Sequence, residues 1–132
     1  MDIRRVAVGN GDQRLRFRVG LEDARKKGVT VVARWQMKSE PSWIFEAVTH
    51  WHRGKKIFRL FVWANTVDRT VLHCPDKAAR WSVGAQSAVI LEIPSTCIYG
   101  PRTWKNFEIF TLPNGFEEAA DWAESRRRLR AG

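Results

Sequence analysis

The sequence predicts an α+β fold, built as a mainly antiparallel β-sheet or a small, partly open barrel with a C-terminal α-helix. Apolar runs of strand length recur along the chain with turn residues between them. Most connections have hairpin length, which favours antiparallel pairing, and the one long helical pattern lies near the end, over residues 115–130. A length of 132 residues predicts a single domain, 1–132, with its own core.

The first half of the chain is rich in candidate strands. They are Ile3–Val8, Gln13–Val19, Val29–Met37, Trp43–His52 and Lys56–Trp63. The first two are separated by Gly9-Asn10-Gly11-Asp12, a strong turn signal, and the last two by Arg53-Gly54-Lys55, which indicates a hairpin. A short helical turn is expected over Leu21–Lys27, since its acidic residues come early and its lysines late.

The second half holds fewer strands and the predicted helix. Strands are expected at Arg69–His73, Ala85–Ile93 and Phe107–Leu112, and one helical turn at Pro75–Trp81. Asn114 is a suitable N-cap for the helix 115–130, and Glu117 stands three residues later, as in a capping box. Arginines close this segment, where cations complement the helix dipole.

Charge is the strongest functional signal. The chain carries 23 basic and 14 acidic residues and a formal net charge of +9, with a pI near 10.4. The excess comes from residues 1–60, at +8, and from the four arginines of residues 126–132, whereas residues 61–125 sum to −3. A domain this basic is typical of polyanion binders, so nucleic acid is the expected partner.

One strand concentrates this charge. Arg14, Arg16 and Arg18 alternate with Leu15, Phe17 and Val19. Side chains alternate faces along a strand, so the three guanidiniums are expected on one face, about 6–7 Å apart, where they suit a row of phosphates. The alternative is a solvated face that discourages edge-to-edge pairing of sheets.

Two further basic clusters are candidate contacts. His50, Trp51, His52, Arg53, Lys55 and Lys56 crowd the predicted hairpin, and Arg126, Arg127 and Arg128 end the predicted helix. Among the chain's seven tryptophans, any exposed ring could stack on an unpaired base, which favours single-stranded DNA or RNA. The alternatives are a solvated hairpin with a packed Trp51, and arginines that only cap the helix dipole.

The leading hypothesis is therefore a non-enzymatic nucleic-acid-binding protein, and two other classes stay open. One is a small phage or viral structural or assembly protein, which would form a homo-oligomer. The other is a metal-dependent nuclease, because His50-Trp51-His52 resembles the His-hydrophobic-His pair by which strand-nicking enzymes hold a metal. No third ligand is evident beside that pair, so no metal site and no cofactor are predicted.

The lack of signal-like and membrane-spanning apolar segments, together with the cysteine content, predicts the cellular location. The first residues lack the apolar run of a secretory signal, and no apolar stretch is long enough to span a membrane. Two cysteines, Cys74 and Cys97, in such a chain are expected to be unpaired thiols. The sequence thus predicts a cytoplasmic protein without a membrane partner.

Overall fold

In the computed structural model, residues 3–11, 13–21, 29–40, 42–64, 68–82, 87–99, 103–113 and 125–129 are described; for Asp68, Pro113 and 125–129 this covers the backbone alone. These residues form ten β-strands and one short 3-10 helix, Ser95–Ile98. The strands are β1 Ile3–Asn10, β2 Arg14–Leu21, β3 Val29–Met37, β4 Trp43–His52, β5 Lys55–Ala64, β6 Asp68–Val71, β7 Ala78–Ser82, β8 Ala88–Pro94, β9 Trp104–Pro113 and β10 Ser125–Leu129.

The strands form two sheets, and every strand pairing is antiparallel. The smaller sheet has the order β1-β2-β8-β7, and the larger has the order β10-β9-β3-β4-β5-β6. One apolar cluster takes side chains from both sheets, so they pack face to face. Phe17 of β2 meets Trp35 of β3 across this interior, with ring centroids 5.2 Å apart.

The two sheets differ in how much of their second face is covered. On the larger sheet the second face is buried too, around Val32, Val48 and Phe110. On β2 of the smaller sheet, by contrast, buried and exposed residues alternate strictly from Arg14 to Val19. The outer face of the smaller sheet is therefore the broad sheet surface that the described residues leave open to a ligand.

A buried ion cluster lies on the second face of the larger sheet. Glu46 is fully buried, and its carboxylate accepts a 2.6 Å hydrogen bond from Arg34 Nε and a 3.4 Å bond from Arg69 Nη2. The Arg69 guanidinium also lies 3.4 Å from the centre of the Phe61 ring. Two cations thus compensate the desolvation of one carboxylate, and the face of the Phe61 ring stabilises the Arg69 guanidinium.

The predicted α+β class is wrong, because the described residues are nearly all β-strand and the C-terminal helix is not formed where the structure describes it. Residues 125–129 of the predicted helix 115–130 form β10, which pairs with β9 from Phe107 to Thr111. The caps and charge gradient are local signals of a few kcal/mol at most, and pairing along a neighbouring strand overrides them. Residues 114–124 and 130 lie outside the described residues.

Three smaller expectations also change or go untested. One helical turn was expected over Pro75–Trp81. Instead, strand β7 begins at Ala78 and pairs with β8. The helical turn over Leu21–Lys27 lies outside the described residues after Leu21. Cys74 and Cys97 form a disulfide, with Cα atoms 5.6 Å apart, so the argument from unpaired thiols to a cytoplasmic location no longer holds.

Within the described ranges, no helix has the length and apolar character needed to cross a membrane.

Candidate nucleic-acid interface

The predicted row of arginines on β2 is formed. Arg14, Arg16 and Arg18 are exposed, whereas Leu15, Phe17 and Val19 are completely buried. On the β1 side, Arg16 faces Gly9 and Arg18 faces Ala7, so no large side chain stands beside either guanidinium. A Cβ atom added to Gly9 would have no neighbour within 4 Å, which shows that the space beside Arg16 is open.

Two more arginines extend this row into a surface, which we call the arginine face: Arg5, Arg14, Arg16, Arg18 and Arg80. Arg5 of β1 pairs with Gly20 of β2, and a Cβ at Gly20 would lie 3.4 Å from the Arg5 Cβ, so the small residue leaves room for the arginine. Arg80 of β7 and Arg18 of β2 pair with opposite sides of Ile90. Arg5 and Arg80 are both exposed.

Glu92 of β8 is the acidic member of this surface. Its two carboxylate oxygens pair with Arg14 Nη1 at 3.0 Å and with Arg80 Nη2 at 3.1 Å. The glutamate side chain is only 12% exposed, whereas the two arginines are 56% and 65% exposed. Glu92 therefore fixes two guanidiniums across the sheet while they remain open to solvent.

The ion pairs with Glu92 involve Arg14 and Arg80 only, among the residues that the structure describes. Neither Arg16 nor Arg18 forms an ion pair with another residue of the described ranges, although Arg16 pairs in register with Glu92. With five arginines and one glutamate, the face has a strong positive excess. Exposed guanidiniums suit phosphate oxygens, which accept two parallel hydrogen bonds from one arginine.

The arginine face has no described aromatic residue. The apolar residues on this side of the smaller sheet are Ala7, Ala78, Ala88, Ile90 and Pro94. The six tryptophans of the described residues are all buried or half-buried, among them Trp35 and Trp104 in the core. The stacking platform that favoured single strands is therefore missing from this face.

The predicted hairpin is also formed, with a two-residue loop at Arg53-Gly54 between β4 and β5. Both loop residues have positive φ, 52° and 76°, the pattern of a type I′ turn. We call the four exposed residues His52, Arg53, Lys55 and Lys56 the hairpin tip. Three of them are permanent cations, so the tip is a second compact positive surface.

Trp51 and His50, by contrast, belong to the packing of the hairpin. Trp51 is half-buried against Trp81 of β7, edge to face, with ring centroids 6.5 Å apart. The Trp81 indole Nε1 donates a 3.2 Å hydrogen bond to the Thr49 hydroxyl, which donates in turn to the Ile57 carbonyl. His50 is only 9% exposed. These contacts hold the hairpin against the smaller sheet.

The structure gives no support to a metal at His50 and His52. The two residues stand on one face of β4, but His50 is buried and His52 is exposed. Among the described residues, no group of three or more His, Cys, Asp or Glu side chains is arranged to hold an ion.

The C-terminal arginines take positions on an edge strand instead of a helix end. Arg126, Arg127 and Arg128 pair in register with Phe110, Ile109 and Glu108 of β9. Their predicted contact with nucleic acid stays a prediction, since the described part of this strand is its backbone.

Arg5, Arg80 and Glu92 belong to this surface but were not predicted from the sequence. Arg5 lies on the predicted strand Ile3–Val8, which the turn at residues 9–12 connects to the strand that carries the arginine row. Arg80 was hidden because residues 75–81 were assigned to a helical turn. Glu92 lies in a predicted strand, but its contacts depend on the pairing of β8 with β2 and β7, which no local pattern reveals.

Compared with known proteins, the chain matches no family model, no curated protein and no solved structure. Its function is therefore argued from the surface itself.

Proposed function

We propose that this protein is a non-enzymatic nucleic-acid-binding protein that contacts the phosphate backbone through its arginine face. The observation that carries the proposal is the exposed row Arg14, Arg16 and Arg18, spaced about 6–7 Å apart on an open sheet face. Small neighbours on β1 leave the row accessible. Phosphate contacts supply affinity without information about sequence, so little base preference is expected.

The absence of aromatic residues from the described part of this face bears on the kind of nucleic acid. Stacking would favour unpaired bases, and guanidinium–phosphate contact does not require them. The proposal therefore covers single-stranded DNA, RNA and duplex DNA alike, and leaves the preference among them to measurement.

Direct binding tests the proposal. Fluorescence anisotropy would follow labelled single-stranded DNA, single-stranded RNA and duplex DNA between about 50 and 200 mM salt, where multi-phosphate binders lose affinity steeply. We expect a steep loss for the unmodified protein. Arg16→Glu should weaken binding to every probe and lower the salt slope by about 2, because it removes a cation and adds an anion.

Two controls separate charge from folding. Arg16→Lys keeps the charge at the same exposed position and should retain most of the affinity. Arg59→Gln removes an exposed arginine from β5 of the larger sheet and should leave binding unchanged. Weak, salt-independent binding of all three probes, or equal binding by Arg16→Glu, would refute the proposal and favour docking to an acidic protein.

A further inference from the structure

The hairpin tip lies beside β7, the edge strand of the smaller sheet that carries Arg80 on its outer face. Trp51, next to the tip, packs against Trp81, and Trp81 directly follows Arg80 of the arginine face. The opposite end of the sandwich is marked by Tyr99, which contacts Trp43 at the start of β4. Arg14 pairs with Pro94 near that opposite end, so the row on β2 runs from there towards the tip.

Lys56 is the residue of the hairpin tip whose position relative to the smaller sheet follows from strand pairing. It pairs directly with Trp51, and directly paired residues of an antiparallel ladder lie on the same side of the hairpin. Trp51 faces β7, as its contact with Trp81 shows. Lys56 therefore lies on the side of the hairpin that faces the smaller sheet, next to its edge strand β7.

Arg53 occupies a position that is conformationally unfavourable for an arginine. The first central residue of a type I′ turn needs positive φ, which Asn, Asp and Gly adopt most readily. Arg53 adopts it at φ 52° and is exposed at the apex. A non-glycine residue held in this region at a free energy cost is a recognised sign of function, and a cation at the apex agrees with contact to a polyanion.

We infer that the arginine face and the hairpin tip are one continuous binding surface, contacted at both places by the same nucleic-acid molecule. The inference rests on the proposed function. The path is about 13 Å along β2, about 10 Å across to β7 and about 10 Å between the sheets. Because these three directions are perpendicular, the ends are roughly 19 Å apart in a straight line, which corresponds to about six base pairs of duplex.

The test measures how binding depends on salt in variants of the tip. Arg53→Asn and Lys56→Gln would be titrated, singly and together, against duplex and single-stranded probes of about 20 nucleotides, longer than the estimated path. We expect each to lower the slope of log affinity against log salt by about 1, and the pair by about 2. At saturation, one protein should bind one probe molecule through both surfaces.

The controls distinguish a binding role from a structural one. Arg53→Asn suits the turn better than arginine does, so it should raise the thermal midpoint while it weakens binding. Lys38→Gln removes an exposed lysine just after the end of β3, away from the tip, and should change neither the slope nor the affinity.

Each result has a defined meaning. Unchanged slopes in the tip variants, together with weaker binding by Arg16→Glu, would overturn the continuous surface and leave the proposed function standing. Two probe molecules bound per protein would also overturn it. Failure of the unmodified protein to bind any probe would refute the proposed function, and the further inference with it.

Discussion

At the residue scale, the described residues of this basic protein include a fully buried acid. Glu46 is fully buried, and Arg34 and Arg69 hold its carboxylate from two strands. The two arginines are 23% and 18% exposed. Arg34 also lies 5.0 Å from the centre of the Phe110 ring, so the cluster joins β3 to its neighbours on both sides.

Neutralising Glu46 should be costly. We expect Glu46→Gln to lower the free energy of unfolding by about 3 kcal/mol, because two desolvated guanidiniums lose their counter-charge. Urea denaturation measures the loss. Glu92→Gln provides the comparison: its partners are largely exposed, and surface ion pairs contribute about 1 kcal/mol or less. Equal losses in the two variants would contradict the assignment of Glu46 to a buried, stabilising cluster.

At the element scale, β1 and the β4–β5 hairpin use glycine in opposite ways. Gly9 lies in an extended strand with open space around its missing side chain. Gly54 has φ 76°, where a side chain is strained whatever the space. Gly9 leaves open space beside Arg16. Gly54 allows the positive φ that the turn requires.

Alanine at these two positions should have opposite effects on stability. Gly9→Ala is expected to raise the free energy of unfolding by about 0.5–1 kcal/mol, because it restricts the unfolded chain without a clash. Gly54→Ala is expected to lower it by about 1–2 kcal/mol, the cost of the left-handed region for a residue with a Cβ. Thermal or urea unfolding measures both, and a destabilising Gly9→Ala would contradict the open space described beside β1.

Elements with strong local signals were predicted well, and those defined by distant partners were not. The alternation on β2 fixes which side chains are buried, because the period of two is a property of the strand itself. Glycine at position 54 marks the hairpin in the same way. The segment 125–129 carries helix-type charges, but its conformation depends on pairing with β9, which residues near it in sequence do not encode.

At the scale of the whole molecule, a disulfide fastens the chain where it passes between the sheets. Cys74 lies between β6 of the larger sheet and β7 of the smaller one, and Cys97 lies in the short 3-10 helix that follows β8. The two residues are 23 positions apart. A sequence with two cysteines does not reveal whether they meet, because pairing depends on how both sheets stack.

Loss of this bridge should destabilise the whole fold. A loop of this length corresponds to about 3 kcal/mol of unfolded-state entropy at 25 °C. We therefore expect the unfolding midpoint in urea to fall when a reductant is added. The double variant Cys74→Ala and Cys97→Ala should match the reduced protein and show no response to reductant. A midpoint that is the same with and without reductant would contradict a stabilising role.

In the candidate site, too, the residues of one strand could be predicted from the sequence, and those that other strands contribute could not. The sequence identifies Arg14, Arg16 and Arg18 as a row, since they belong to one strand. It does not identify Arg80 as their neighbour, because that depends on β8 standing between β2 and β7. Nor does it locate Trp51, whose half-buried position follows from its contact with Trp81 of the other sheet.

The strict alternation of β2 has a consequence for protein engineering. The residues that build the interior and those that face solvent occupy separate positions of the same strand. The outer set can thus be rewritten without repacking the inner one. Acidic residues at 5, 14, 16, 18 and 80, with position 92 made basic, would reverse the net charge of this face and turn the domain into a scaffold for cationic partners.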